Sequence, residues 1–218
     1  DTMMENMLRR ALREAAPAVA AGTLEYLSVN VSPAQFNQGW ALRRLPALLA
    51  ETGFPARALI VEITETALLH DIDRTRGMLA ALTAGGMRIA LDDFGIGYSN
   101  FSLLRQLPFD VLKLDRTLIQ DIEADDHARA LAECVLDLAA RLKIKVVAEG
   151  VETRRQAELL AAAGCATLQG YWFARPQRDL MTWFGAQDRG AHDFLGPLAP
   201  AADMARRGSL TDAAGGAS

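Results

Sequence analysis

This sequence offers little from which to build a disulfide framework, a zinc site or a membrane span. Two cysteines occur in 218 residues. They are Cys134 and Cys165, with neither disulfide nor metal spacing, and their apolar neighbours suit reduced thiols in a cytoplasmic protein. The three histidines, His70, His127 and His192, do not cluster and fall in predicted helix or tail, which argues against zinc. No apolar run is long enough to cross a bilayer, and no charged-then-apolar signal opens the chain. A basic surplus is also missing. The formal net charge is −4, so DNA and RNA are poor partners, and a small anionic substrate would need a cation to offset the local charge.

What is present is apolar material. Half of the residues are hydrophobic, enough for one sizeable core and one domain. Residue 1 is Asp1, so the chain reads as a piece of something longer, whose upstream part is free to carry a membrane anchor. The domain is expected over 1–189, with 190–218, rich in Ala, Gly, Arg and Pro, as a poorly ordered tail.

Six β-rich runs stand out, at 26–32, 58–65, 88–94, 111–115, 145–152 and 167–173. Their interiors are near-continuous Val, Ile, Leu and Ala, the pattern of parallel strands covered on both faces. Helical patterns alternate with them. Residues 3–19 form an amphipathic helix with Met4, Leu8 and Leu12 on one face. Ser32-Pro33-Ala34-Gln35 and Thr153 with Gln156 are capping boxes, and Gly164 closes the second helix. Leu131, Val135, Leu138 and Leu142 form an apolar stripe beside Cys134. The alternation predicts α/β with a parallel sheet. A doubly wound sheet binds at one crevice, whereas a barrel gathers ligands from many strand ends. Here Asn30, Glu62, Asp92, Lys113 with Asp115, Glu149 and Gln169 all close their runs, which favours a TIM-like (β/α) barrel. A closed barrel needs eight strands and only six are found, so the first two are expected upstream of Asp1.

The polar groups at these ends, with Glu65, Asp93 and Glu152 added, are mostly carboxylates. Carboxylates crowded into one mouth repel unless protonated or bridged by cations. Oxygen donors without cysteine or histidine suit Mg²⁺ or Mn²⁺, with Ca²⁺ as a non-productive substitute. Asp92-Asp93 suits a pair of ions about 3.5–4 Å apart, the usual arrangement for in-line attack of water on a phosphodiester. Lys113 could hold the attacking hydroxide or a phosphoryl oxygen, and Glu149 could take the water's proton. Each motif alone has a plainer reading: Asp92-Asp93 as a cap, Lys113-Leu114-Asp115 as a surface ion pair, Gln169-Gly170-Tyr171 as a turn. Their placement at six successive ends is what weighs against those readings.

Taken together, Val29-Asn30-Val31-Ser32, Glu62-Ile63-Thr64-Glu65, Asp92-Asp93-Phe94-Gly95, Lys113-Leu114-Asp115, Ala148-Glu149-Gly150-Val151-Glu152-Thr153 and Gln169-Gly170-Tyr171 resemble the ordered signature of EAL domains over 24–176. The resemblance implies hydrolysis of cyclic di-GMP to linear pGpG with Mg²⁺ or Mn²⁺. It implies Asn30, Glu62 and Asp92 as ligands of one metal, and Asp92 and Asp93 as ligands of a second, with Asp115 and Glu149 near it. Lys113 would hold the water and Glu149 would act as base. Glu65 would anchor the loop after Asp93, and Glu152 and Gln169 would support the site. It further implies fused sensor or GGDEF domains and pairing through 93–107. Two features depart from the pattern. The Glu-Ala-Leu segment, whose glutamate is a metal ligand, does not occur here and belongs to one of the two missing strands. Ile96 and Asn100 stand where threonine and serine are usual. Three readings therefore stay open: an active phosphodiesterase, a receptor that binds cyclic di-GMP without cleaving it, and an unrelated metal-dependent barrel enzyme of enolase type.

Overall fold

The computed structural model describes residues 2–68, 71–96 and 101–175. The six expected strands are all there, the third matching its apolar run and the other five shorter than theirs. They are β1 (Leu27–Asn30), β2 (Leu59–Thr64), β3 (Arg88–Phe94), β4 (Val111–Leu114), β5 (Lys145–Ala148) and β6 (Thr167–Leu168). They form one sheet in the order β1-β2-β3-β4-β5-β6, and every neighbouring pair is parallel. Among the described residues the sheet is open at β1 and β6. The expected tail at 190–218 lies outside the described residues.

Helices connect the strands, as parallel pairing requires. They are α1 (Thr2–Ala20) before the sheet, α2 (Pro33–Asn37) and α3 (Trp40–Thr52), then α4 (Glu65–Leu68) and α5 (Ile72–Ala84), α6 (Phe101–Gln106), α7 (Asp126–Leu142) and α8 (Arg154–Ala162). Both predicted capping boxes form, at Ser32 with Gln35 and at Thr153 with Gln156. Gly164 follows the end of α8 at φ 91°, where a side chain would be strained. On α1, Leu8, Leu12 and Ala15 are buried. Glu5 ties α1 to α3, accepting from Arg44 Nη2 at 2.6 Å and from Trp40 Nε1 at 3.1 Å. The Arg44 guanidinium holds the Glu5 carboxyl down to about 2.

Two expectations are corrected. The buried face of α7 is Ala132, Val135, Leu136 and Ala139, while Leu131 and Leu142 are exposed. Alanines let the helix axis approach the sheet closely, so the larger leucines flank the contact. Cys134, which follows Leu131 on the same helix, is also exposed, and only Cys165 is buried.

Alternation along the strands sorts the sheet's two faces. On one, Val61, Ile63, Ile89, Leu91, Leu112 and Leu114 are fully buried. On the other, Ile60, Ala90, Val111 and Val147 form an apolar tier with Tyr26 packed against it. Two residues earlier on that face, Arg88 and Lys145 share Glu25 at 3.9 and 3.6 Å, and the Arg88 guanidinium lies 5.2 Å from the centre of the Tyr26 ring. Two residues later stand Glu62, Asp92, Lys113 and Glu149.

The corrected α7 face has a direct test. Leu136→Ala should lower unfolding free energy by about 2–5 kcal/mol, while Leu131→Ala should change it by less than about 0.5 kcal/mol. Urea denaturation measures both, and equal losses would restore the predicted stripe.

Candidate functional site

The four residues of the upper tier come from four consecutive strands or their ends, β2 to β5, and meet at one nitrogen. Lys113 Nζ lies 2.8 Å from Glu62 Oε2, 3.0 Å from Asp92 Oδ1 and 2.9 Å from Glu149 Oε1. The ammonium donates to Glu62 and lies within ion-pair reach of the other two carboxylates. Glu62, Asp92 and Lys113 are each less than one-tenth exposed. Burial pulls the Lys113 ammonium down, but Glu62, Glu149 and Asp92 outweigh it and hold it above the ordinary lysine value. Burial pushes the Glu149 carboxyl up. Lys113 opposes that shift, and Asp92 and Glu62 reinforce it. Three carboxylates around one lysine leave an excess of two negative charges.

Asp93 joins the site through a bulge. The β3–β4 register runs Leu91↔Leu112 and then Phe94↔Leu114, so β3 carries one extra residue between them. Asp93 takes it up at φ 59°, a left-handed conformation that aspartate accepts more readily than most side chains. Its N–H donates to Asp92 Oδ1 at 3.1 Å. Burial, then Asp92 and Asp115, raise the Asp93 carboxyl, so the three acids sit within electrostatic reach of one another.

The other predicted site residues arrive differently. Asn30 ends β1, exposed, in register with Glu62. Asp115 caps the 3-10 turn Arg116–Leu118, accepting from the Thr117 N–H at 2.8 Å. Glu152 turns to Arg116 at 2.9 Å and takes no part in the Lys113 cluster. Arg116 is a partner that the sequence reading missed, because nothing in its own motif marks it. Gln169 is exposed at the end of β6, placed by backbone bonds from its N–H to Ala148 at 2.8 Å and from Val151 to its carbonyl at 3.0 Å. A Cβ on Gly170 would overlap the backbone of Val151, so this approach of the two loops requires glycine. Glu65 opens α4, half-buried. The loop it was expected to anchor, and the 93–107 pairing segment, both include residues 97–100, which lie outside the described residues. Ile96 is exposed. Among the histidines, His127 lies in α7, whereas His70 and His192 lie outside the described residues.

The donors here are oxygens with surplus negative charge, the chemistry of a hard divalent ion. Among the described residues, no three Asp, Glu, His or Cys side chains surround a point suited to an ion, because the carboxylates close on Lys113 instead. No helix among the described residues is long and apolar enough to cross a membrane.

Comparison with known proteins gives one consistent answer. The family model described as "EAL domain" matches residues 1–176. The cyclic di-GMP phosphodiesterase NbdA of Pseudomonas aeruginosa is 40% identical over 178 residues, covering 81% of this chain and 23% of NbdA. Other curated relatives are likewise matched over only 22–23% of their length. The structure of PaMucR phosphodiesterase in complex with c-di-GMP superimposes with a TM-score of 0.75 at 34% identity, covering 81% of this chain and 72% of that one. Klebsiella pneumoniae BlrP1, in a manganese/cy-diGMP complex, superimposes with a TM-score of 0.69 at 33% identity, covering 79% and 44%. The open sheet with its helices is thus six strands of a TIM-like (β/α) barrel. A match spanning sheet, caps and strand-end acids alike makes this chain a member of the EAL domain family.

Proposed function

We propose that this domain, within its full-length protein, hydrolyses cyclic di-GMP to linear pGpG. One observation carries the reading: Glu62, Asp92 and Glu149 from three strands converge on buried Lys113 with two negative charges to spare. Relatives of known structure hold cyclic di-GMP, and BlrP1 does so with manganese in one complex and calcium in another. Asn30, Glu62, Asp92, Asp93 and Asp115 are the oxygen donors that would hold one or two Mg²⁺ or Mn²⁺ ions. When bound, such ions supply positive charge to the phosphodiester and acidify a water.

The chain's own residues do the rest. Glu149 Oε takes a proton from the attacking water. Its raised carboxyl makes it a stronger base than an exposed glutamate, and Lys113 at 2.9 Å fixes its orientation. Lys113 also lies between Glu62 and Asp92 at 2.8 and 3.0 Å, and any carboxylate it releases frees an N–H to hold that water. Gln169 and Glu152 line the mouth, and Glu65 steadies the loop after Asp93. A second reading, a receptor that binds without cleaving, is motivated by Ile96, which stands where the family's pattern has a hydroxyl-bearing threonine. The domain acts in the cytoplasm as a module of a longer signalling protein.

Full-length protein with Mn²⁺ should convert cyclic di-GMP to pGpG, and EDTA should stop it. Glu149→Gln should lower kcat by about 10²–10⁴ with KM little changed. The parent rate should fall as pH drops through the raised Glu149 value, because the base must be unprotonated; the glutamine variant should lose this limb. Chromatography of the product measures all three. Tight calorimetric binding without turnover by the folded, metal-loaded parent would establish the receptor reading instead.

Removing the central charge should be felt in stability. Lys113→Met leaves three carboxylates without their counter-charge and should cost about 3–5 kcal/mol at pH 7. The loss should shrink at a pH below the raised Glu149 value, where that carboxyl is protonated and needs no counter-charge. Denaturant titrations at the two pH values check both sign and size.

A further inference from the structure

Asp110 sits in the bend between α6 and β4, two residues after Pro108, and takes no part in the chemistry above. Its N–H donates to the Ile89 carbonyl at 2.9 Å. Its Oδ2 accepts from the Ile89 N–H at 2.8 Å. Its carbonyl accepts from the N–H of Lys145 at 3.0 Å. One residue therefore satisfies both backbone groups that Ile89 turns toward β4 and also ties down the first residue of β5. In a continuing parallel ladder the Ile89 N–H would meet a backbone carbonyl of the neighbouring strand. At Pro108 the chain has not yet become a strand, and the Asp110 carboxylate stands in for that carbonyl.

We propose that Asp110 is a positioning residue, a clamp that sets the register of β3, β4 and β5 so that Lys113 meets Asp92 and Glu149. Counting along the chain shows how directly the clamp reaches the site. Asp92 is three residues beyond Ile89, Lys113 three beyond Asp110, and Glu149 four beyond Lys145. β3 already carries its extra residue after Leu91, on the site side of the clamp. Asp110 confines that irregularity to the mouth, where it is used to present Asp93. A one-residue slip of β4 would turn Lys113 to the opposite face of the sheet and leave three carboxylates unpaired. The strand begins only at Val111, so a side chain supplies the acceptor, and the short reach of aspartate explains why it holds one register.

The catalytic part of this inference rests on the phosphodiesterase reading; the clamp itself does not. The test compares the full-length parent with Asp110→Ala, Asp110→Asn and Asp110→Glu. Asp110→Ala should lower kcat by about tenfold to a hundredfold while KM changes less than about twofold. Asp110→Asn keeps an acceptor oxygen and should recover most of the rate. Crystal structures should show Lys113 Nζ drawn away from Asp92 by about 1 Å in the alanine variant and in place in the asparagine variant. A merely structural role would lower the melting temperature of Asp110→Ala and leave kcat and the Lys113–Asp92 contact as in the parent, and that result overturns the proposal. If the alanine variant does not fold, Asp110→Glu decides. Its oxygen is one methylene too far out, so a parent-like kcat or contact overturns the clamp and a fall supports it. An inactive parent defeats the phosphodiesterase reading, and the crystallographic comparison then still decides the clamp.

Discussion

A buried ammonium with three carboxylates close around it is the constraint around which this half-barrel is arranged. Lys113 is less than one-tenth exposed, and an ion of its size loses several kcal/mol of hydration on burial. Only close, well-aimed counter-charges offset that loss, and three lie between 2.8 and 3.0 Å. They arrive from separate segments, so the cluster exists only if β2, β3, β4 and β5 keep their mutual register. The register in turn is strongly set because each strand buries one face under helices. A slip would expose Ile63, Leu91 or Leu114 as surely as it would scatter the acids.

The tiers on the site face follow from the same alternation. Ile60, Ala90, Val111 and Val147 sit directly before the charged tier and put apolar contact beneath it. That floor strengthens every electrostatic interaction above it, because little solvent remains to screen it. The effect is visible in Glu149 and Asp93, both pushed up chiefly by burial. The earlier tier, with Arg88, Lys145 and Glu25, is looser, at 3.6–3.9 Å and with Glu25 largely exposed. Tight geometry is thus concentrated at the C-terminal ends of the strands, where barrels of this kind place their chemistry.

The strands were legible because two-sided burial writes itself as unbroken runs of Val, Ile, Leu and Ala, which few other settings allow. The meeting of Glu62, Asp92, Lys113 and Glu149 was legible because each stands toward the end of such a run. Strand length was less so: in the sixth run only Thr167–Leu168 pairs, since Gly170 must pass against the Val151 backbone and the chain then turns. The packed face of α7 was misread because size was taken as the mark of burial, whereas close approach to a sheet selects Ala132 and Ala139. Who partners Lys113 was out of reach as well. Glu62 precedes it by 51 residues, and only the fold makes them neighbours. The bulge that presents Asp93 has no sequence mark beyond a doubled aspartate.

On the phosphodiesterase reading, one lysine is not enough for a dianionic ligand. Lys113 is fully engaged by acids, so the site presents net negative charge to anything approaching its mouth. A phosphodiester would be repelled from such a surface. Added positive charge must therefore come from outside the cluster, and the oxygen-only donors around it select hard cations for that role. Burial raises the Glu149 carboxyl most, and the neighbouring charges of Asp92 and Glu62 add to it. On the phosphodiesterase reading, the burial that raises Glu149 and the charge that calls for a cation both follow from the strand register that brings these acids around Lys113.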